Sequence, residues 1–312
     1  MNKQTNKRKY LYIFGLVFGG ILLLYQVYLS INSIVNFSLS NTVLIHFFYA
    51  FIFAFLAIFI QILAWYVLLE ESFLKNKKNF IELVKGYTLS FIPRYLPGTV
   101  WGYLSRSEWL FQKFSISYNK SNSVSILELA STITANFLII FIWINITYFK
   151  ENFYLGILIL IFLPLLIWLT ISGGFRLLNH SKINLFNLGT IEFNPVPPKN
   201  WFLSIFLFFI HWFFLANSLN EILLFLGNHS LFIIDSMFAT CTSWLTGFLI
   251  FFVPAGIGFR EATLSFVLKD LLFVNLNIIN ITVILFRFLS ILAEVSWILQ
   301  KFVKIKNKSL KT

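Results

Sequence analysis

Seven long runs of apolar residues constrain the fold of this chain more than any other feature of its sequence. They cover residues 10–31, 43–69, 124–148, 153–171, 201–226, 231–253 and 276–300. A helix that crosses the hydrocarbon core of a bilayer needs about 20 apolar residues, whereas a buried strand or core helix needs fewer. The runs therefore predict helices that span a membrane.

The composition of the chain agrees with this prediction. Of 312 residues, 58% are hydrophobic and 12% are charged, and the mean hydropathy is +0.81. A soluble domain carries about 25% charged residues. We predict an all-α, polytopic integral membrane protein with a single transmembrane domain over residues 1–312. Residues 10–300 would form the helical bundle and residues 301–312 a basic cytoplasmic tail.

The positions of the lysine and arginine residues predict the orientation of the helices, because these residues stay cytoplasmic near membrane segments. With the N-terminus inside, the cytoplasmic connections hold Lys75, Lys77, Lys78, Lys113, Lys120, Arg176, Lys182 and Lys199, and the outer loops hold Lys150 and Lys269. The basic tail also belongs inside, which requires an even number of crossings. Counting residues 259–274 as a tilted crossing gives about eight transmembrane helices, with both termini cytoplasmic in the plasma membrane.

The net charge of +12 has the same explanation. The basic residues border the apolar runs, as topology signals do, and no nucleic-acid partner is expected. The single cysteine, Cys241, lies inside an apolar run, so the chain has no disulfide framework of its own.

Residues 80–111 are moderately apolar but do not form one uninterrupted helical pattern. The segment is broken by Pro93, Pro97, Gly98 and Gly102, and it carries Lys85, Arg94, Arg106 and Glu108. Broken backbone at membrane depth is tolerated only where protein or a water-filled cavity surrounds it. We therefore predict a re-entrant pair of half-helices that enters from the cytoplasmic side. The alternative is an amphipathic pair lying on the inner membrane surface.

Ionisable residues within the apolar runs are the most informative side chains, because each costs about 2.5–3.5 kcal/mol to insert and usually faces the bundle interior. In the last run, Arg287 and Glu294 are two helical turns apart and share one face. This face either lines a polar path for a head group or an ion, or pairs its charges with neighbouring helices. His211, with Ser204 and Ser218 at the same spacing, is either a hydrogen-bonded interior residue or a proton carrier.

A stripe of small residues in the sixth run predicts close helix packing. Its members are Ser236, Thr240, Ser243 and Gly247. Glu128, near the start of the third run, is a carboxylate that needs a basic partner. The candidate partners are Arg94, Arg106 and Arg260.

Two Pro/Gly breaks precede an arginine and a glutamate. Pro97 and Gly98 come before Arg106 and Glu108, whereas Pro254, Gly256 and Gly258 come before Arg260 and Glu261. Such breaks expose backbone N–H groups that favour an anion, and an arginine adds two-pronged recognition of phosphate. The predicted lipid-phosphate ligands are Arg94, Arg106 and Arg260, and the predicted polar pathway is Glu128, His211, Arg287 and Glu294.

Motifs of soluble enzymes and metal sites are missing from the sequence. It has no phosphate-binding loop that ends in Gly-Lys-Ser/Thr and no dinucleotide fingerprint. Its histidines, His46, His180, His211 and His229, are not at metal-ligand spacing. We therefore predict no catalytic residue, no metal and no cofactor.

The motifs around these residues resemble the transmembrane region of lysylphosphatidylglycerol synthase, a flippase-like family of membrane proteins. The matching segments are residues 94–101 (RYLPGTVW) followed by Arg106, residues 123–128 (SVSILE) and residues 253–262 (VPAGIGFREA). Their order and spacing cover roughly residues 10–300. Ala255 stands where the family often has glycine, a departure expected to tighten the turn without removing it.

The resemblance implies a membrane domain that binds and translocates anionic or aminoacylated phospholipids, or polyprenyl-phosphate-linked sugars. It does not imply aminoacyl transfer, which belongs to a separate soluble domain of the full-length synthases. Some relatives work beside cell-surface glycosyltransferases, which implies such an enzyme as a further partner.

Three functional interpretations follow from the sequence. The first is a lipid flippase-like protein that is not an enzyme. The second is a membrane-embedded enzyme or accessory subunit of glycolipid or cell-surface polysaccharide assembly, with Glu108, Glu128 or Glu261 as a base. The third is a scaffold for a glycosyltransferase, in which the charges are purely structural.

Overall fold

Helices form all the regular secondary structure of the described residues. The computed structural model describes residues 21, 28, 41–69, 77–95, 101–148, 196–227, 230–250 and 253–309. The helices are α1 (Asn41–Tyr66), α2 (Lys77–Leu89), α3 (Trp101–Phe114), α4 (Tyr118–Tyr148), α5 (Pro198–Phe225), α6 (Ile233–Leu249), α7 (Phe259–Phe266) and α8 (Leu276–Ser309). The predicted all-α class is thus confirmed for this part of the chain. The predicted runs 10–31 and 153–171 lie outside the residues just given, apart from residues 21 and 28.

Four of these helices are long and apolar enough to cross a membrane. The spans are Leu44–Tyr66 in α1, Tyr118–Tyr148 in α4, Pro198–Phe225 in α5 and Ile278–Leu299 in α8. Each coincides with an apolar run of the sequence, because uninterrupted aliphatic and aromatic residues satisfy both helix formation and burial in lipid.

The structure differs from the sequence prediction mainly in its short helical elements. Residues 259–274, predicted as one tilted crossing, form the eight-residue helix α7 and a π-helical turn over Val267–Leu271. Two 3-10 turns, Pro93–Tyr95 and Pro254–Gly256, precede α3 and α7. The first lies inside the broken segment 80–111, where the predicted pair of helices is observed as α2 and α3. Pro97 and Gly98 lie outside the described residues.

Two helices extend beyond the apolar runs that predicted them. The helix α5 begins at Pro198, three residues before the run 201–226, and proline is well suited to the first turn of a helix. The helix α8 continues past the last apolar run, 276–300, through Ser309.

The chain divides into two compact units. The first comprises Met1–Ile58, Phe91–Trp101 and Trp212–Thr312, and the second comprises Phe59–Ser90 and Gly102–His211. The first unit has an apolar core built from α1, α5 and α8, with Ala50, Ile222, Phe225, Leu226, Ile281 and Leu289 as its buried members. In the second unit Trp65, Leu83, Tyr87, Leu110 and Ile139 are fully buried.

Candidate functional site

The Pro/Gly break before α7 has a backbone that most residues disfavour. Ala255, Gly256 and Gly258 have φ angles of +51°, +67° and +85°, all in the left-handed region. A Cβ atom on Gly256 would lie 2.6 Å from the Cα atom of Gly247 in α6. The break therefore packs directly against the backbone of α6.

Two members of the small-residue stripe of α6, Ser243 and Gly247, contact α7 together with the neighbouring Thr246. The Ser243 hydroxyl donates to the Arg260 carbonyl at 2.8 Å, and the hydroxyls of Thr246 and Thr263 lie 2.9 Å apart. A Cβ on Gly247 would lie 2.3 Å from Cγ of Arg260. The stripe was predicted to allow close packing, which the structure confirms. Gly247 also provides the space that the Arg260 side chain occupies.

At the start of α7, the carboxylate of Glu261 binds a backbone N–H group and an arginine of α8. Its carboxylate accepts a hydrogen bond from the Gly258 N–H at 2.6 Å and lies 3.3 Å from Nε of Arg287 in α8. Arg287 also donates to the Ala255 carbonyl at 3.4 Å. The sequence predicted that the N–H groups of this break would be open to an external anion. For Gly258 this is wrong, because a carboxylate of the chain itself, only 3% exposed, occupies the position.

A second carboxylate near this break, that of Glu294, has longer contacts and is more exposed than that of Glu261. Nη1 of Arg94 lies 3.4 Å from it, and the Tyr95 hydroxyl donates to it at 3.0 Å. The Arg94 and Glu294 side chains are 28% and 18% exposed. Burial raises the pKa of Tyr95 to about 12, and the charge of Glu294 adds to the effect, so the phenol stays a donor. Arg287 and Glu294 thus have separate partners on neighbouring elements. This agrees with the second alternative of the sequence analysis, in which the charges of this face pair with neighbouring helices.

Arg94 and Arg287 each form an ion pair, whereas Arg260 forms none with a described residue. Its guanidinium lies 6.0 Å from the ring of Trp244, and its Nε atom is buried without a hydrogen-bond partner. The Arg260 guanidinium is close enough to four other charged groups to interact with them electrostatically: Arg94, Arg287, Glu261 and Glu294.

These five charged residues form a cluster, called the arginine cluster below, that carries an excess of positive charge. It contains three guanidinium groups, those of Arg94, Arg260 and Arg287, against the two carboxylates of Glu261 and Glu294. Among the residues that the structure describes, one positive charge is therefore left without a counterion. A charge in such surroundings is costly unless an anion neutralises it.

The second unit contains a different kind of ion pair. Arg106 lies 2.6 Å from Glu128, and the two side chains are 2% and 3% exposed. The Tyr87 hydroxyl donates to Glu128 at 2.7 Å, and the Arg106 guanidinium lies 4.5 Å and 4.7 Å from the rings of Tyr87 and Tyr103. Of the three arginines predicted as candidate partners of Glu128, Arg106 is the one that forms the ion pair. This arginine is neutralised and enclosed, in contrast to Arg260.

The remaining polar residues of the sequence prediction lie on α5 and α3. His211 in α5 is 6% exposed, and its ring packs edge-on against Phe208. Ser204 and Ser218, which share its spacing, are fully buried. Glu108, one of the proposed bases, is fully exposed, and hydrogen bonds from Tyr118 and then Gln112 lower its pKa.

Comparisons with known proteins do not extend these observations. No family model, no curated protein and no solved structure matches this chain. The family resemblance of the sequence motifs therefore stays a prediction.

Proposed function

We propose that this chain is a lipid flippase-like membrane protein, which binds and translocates an anionic phospholipid or a polyprenyl-phosphate-linked sugar. The observation that carries the proposal is the excess positive charge of the cluster of Arg94, Arg260, Arg287, Glu261 and Glu294. The lipid phosphate would be bound by Arg260 and Arg94, and the acyl or prenyl chain would remain in the bilayer. A guanidinium suits this role, because it offers two parallel donors to phosphate oxygens.

Two of the three carboxylates that the enzyme interpretation offers as bases are occupied. Glu128 is engaged by Arg106 and Tyr87, and Glu261 by Arg287 and Gly258. Both carboxylates are only 3% exposed, so neither is presented to a substrate proton. These contacts support binding and transport over catalysis.

The proposed orientation follows the distribution of basic residues. We infer about eight crossings of the plasma membrane, with both termini cytoplasmic, from the predicted runs together with the four long apolar helices. A single cysteine introduced at Asn2 or at Thr312 of a Cys241→Ala background should react with a membrane-impermeant maleimide only after the cells are opened. A cysteine at Lys269, whose side chain is 53% exposed, should react in intact cells. Labelling of either terminus in intact cells would contradict the proposed topology.

Arg260→Gln is expected to yield a folded protein that has lost most of its bound anionic lipid. The guanidinium forms no ion pair with a described residue, so its loss should cost little stability, whereas a lipid phosphate would lose its main ligand. Removal of a hydrogen-bonded charge contact costs about 2–5 kcal/mol of affinity, which is a loss of 30-fold or more. Native mass spectrometry of the purified chain would measure retained lipid, and the melting temperature in the same detergent would measure stability.

Two control variants separate this effect from charge alone. Lys269→Gln makes the same charge change at an exposed position and should retain the lipid. Arg260→Lys keeps the charge but loses the two-pronged geometry, and should retain only part of it. Full lipid retention by a stable Arg260→Gln protein would contradict the proposed phosphate site.

A further inference from the structure

The two carboxylates of the arginine cluster differ in how firmly they are held. Glu261 is 3% exposed and bound both to the Gly258 N–H and to Arg287. Glu294 is 18% exposed, and its contact with Arg94 is 3.4 Å long. Glu261 therefore belongs to the structure of the break, whereas Glu294 borders the surface that a ligand would approach.

This difference defines the charge that a ligand has to bring. Glu261 and Arg287 neutralise each other, so the ligand meets Arg94 and Arg260 together with Glu294. The remaining charge is +1, which the phosphate of a diester cancels with its single negative charge. A phosphate monoester or a diphosphate would bring at least one negative charge too many, beside a carboxylate already in place.

We propose that Glu294 is a specificity-determining residue that restricts the site to lipids with a singly charged phosphodiester. The inference rests on the proposed function and deepens it by assigning the charge class of the substrate. Glu294 acts by repelling the second charge of a competing ligand, which is discrimination by an unfavourable contact. Both substrate classes of the proposed function contain phosphodiesters, so the chemistry of this group, and not the acyl or prenyl chain, is what the site selects.

The test compares two short-chain lipids that differ in phosphate charge. Dioctanoyl phosphatidylglycerol is a diester with one charge. Dioctanoyl phosphatidic acid is a monoester that gains a second charge in alkaline solution, since phosphomonoesters such as phosphoserine lose their second proton with a pKa of about 6, and pH 8.5 is therefore used. Binding to the purified full chain in a neutral detergent is measured for both. The wild type should prefer the diester. Glu294→Gln raises the charge of the site by one, and should shift the ratio of the two affinities at least about 10-fold toward the monoester.

The controls keep the result interpretable. Glu294→Asp retains the charge and should retain the preference, and Glu108→Gln makes the same charge change at a fully exposed residue and should leave the ratio unaltered. If Glu294→Gln does not fold, Thr263→Lys adds one positive charge one helical turn from Arg260, and should shift the ratio in the same direction.

Each outcome bears on one level of the proposal. An unchanged ratio in Glu294→Gln and Thr263→Lys, or an equal loss of both lipids in Glu294→Gln, overturns the role of Glu294, while loss of binding in Arg260→Gln would still support the phosphate site. Failure of the wild type to bind either lipid would contradict the proposed function itself.

Discussion

Glu128→Gln is expected to destabilise the protein by about 3–5 kcal/mol, because removing one partner of a buried ion pair leaves the other charge without compensation. Arg106 is 2% exposed and packed against aromatic rings, so water cannot replace the carboxylate. The substitution also weakens the acceptor for the Tyr87 hydroxyl. Unfolding of the purified chain in detergent, followed by circular dichroism, would measure the loss.

Two comparisons make this expectation specific. Glu108→Gln removes the same charge from α3 at a fully exposed position and should change stability by less than about 0.5 kcal/mol. The double variant Arg106→Met, Glu128→Leu replaces the pair by apolar side chains and should recover most of the loss. If the double variant is as unstable as Glu128→Gln, the pair has a role in packing that its charges do not explain.

Gly256→Ala is expected to destabilise the protein by about 2–5 kcal/mol and to abolish the proposed binding of anionic lipid. The φ angle of +67° costs a residue with a side chain about 1–2 kcal/mol. The new Cβ would lie 2.6 Å and 2.8 Å from Cα and the carbonyl oxygen of Gly247, which are backbone atoms that cannot rotate away. Overpacking of this kind costs about 1–3 kcal/mol. The break would have to move from α6, and Arg260 with it.

Ala255→Gly is the matched control, since it makes the reverse chemical change at the adjacent residue. Ala255 already has a φ angle of +51°. Glycine would relieve about 1–2 kcal/mol of backbone strain and lose about 0.4–1 kcal/mol through a more flexible unfolded chain. Stability should therefore change little or rise slightly, and the proposed lipid binding should persist. A Gly256→Ala protein as stable as Ala255→Gly would contradict the described contact with Gly247.

The sequence predicted the long helices and the polar residues better than it predicted their partners. An apolar run identifies a helix because burial in lipid depends on composition, and spacing identifies a face because the helical period is fixed. Neither identifies the neighbour of that face. Arg287 and Glu294 could be assigned to one side of a helix, but their partners, Glu261 and Arg94, come from segments distant along the chain.

One missed feature did have a signal in the sequence. Glu261 lies three positions after Gly258 at the start of α7, which is the spacing of a glutamate that accepts the N-cap N–H. This spacing would have predicted that Glu261 occupies the helix start. Gly247 had no comparable signal, because a glycine in a small-residue stripe is already explained by packing, and its contact with Arg260 depends on tertiary geometry.

The contacts of Glu261 and Arg287 also have a mechanical consequence within the first unit. Glu261 and Arg287 together join the Gly258 N–H and the Ala255 carbonyl to α8. Since both ends of the break are connected to α8, the break and α8 should move together as one rigid piece in the proposed transport of lipid. In that proposed transport, the weaker contact of Arg94 with Glu294 is where this piece would separate from the Pro93–Tyr95 turn. The amide hydrogens of Gly258 and Ala262, which donate to the Glu261 carboxylate and to the Gly258 carbonyl, should accordingly exchange slowly with and without the proposed lipid.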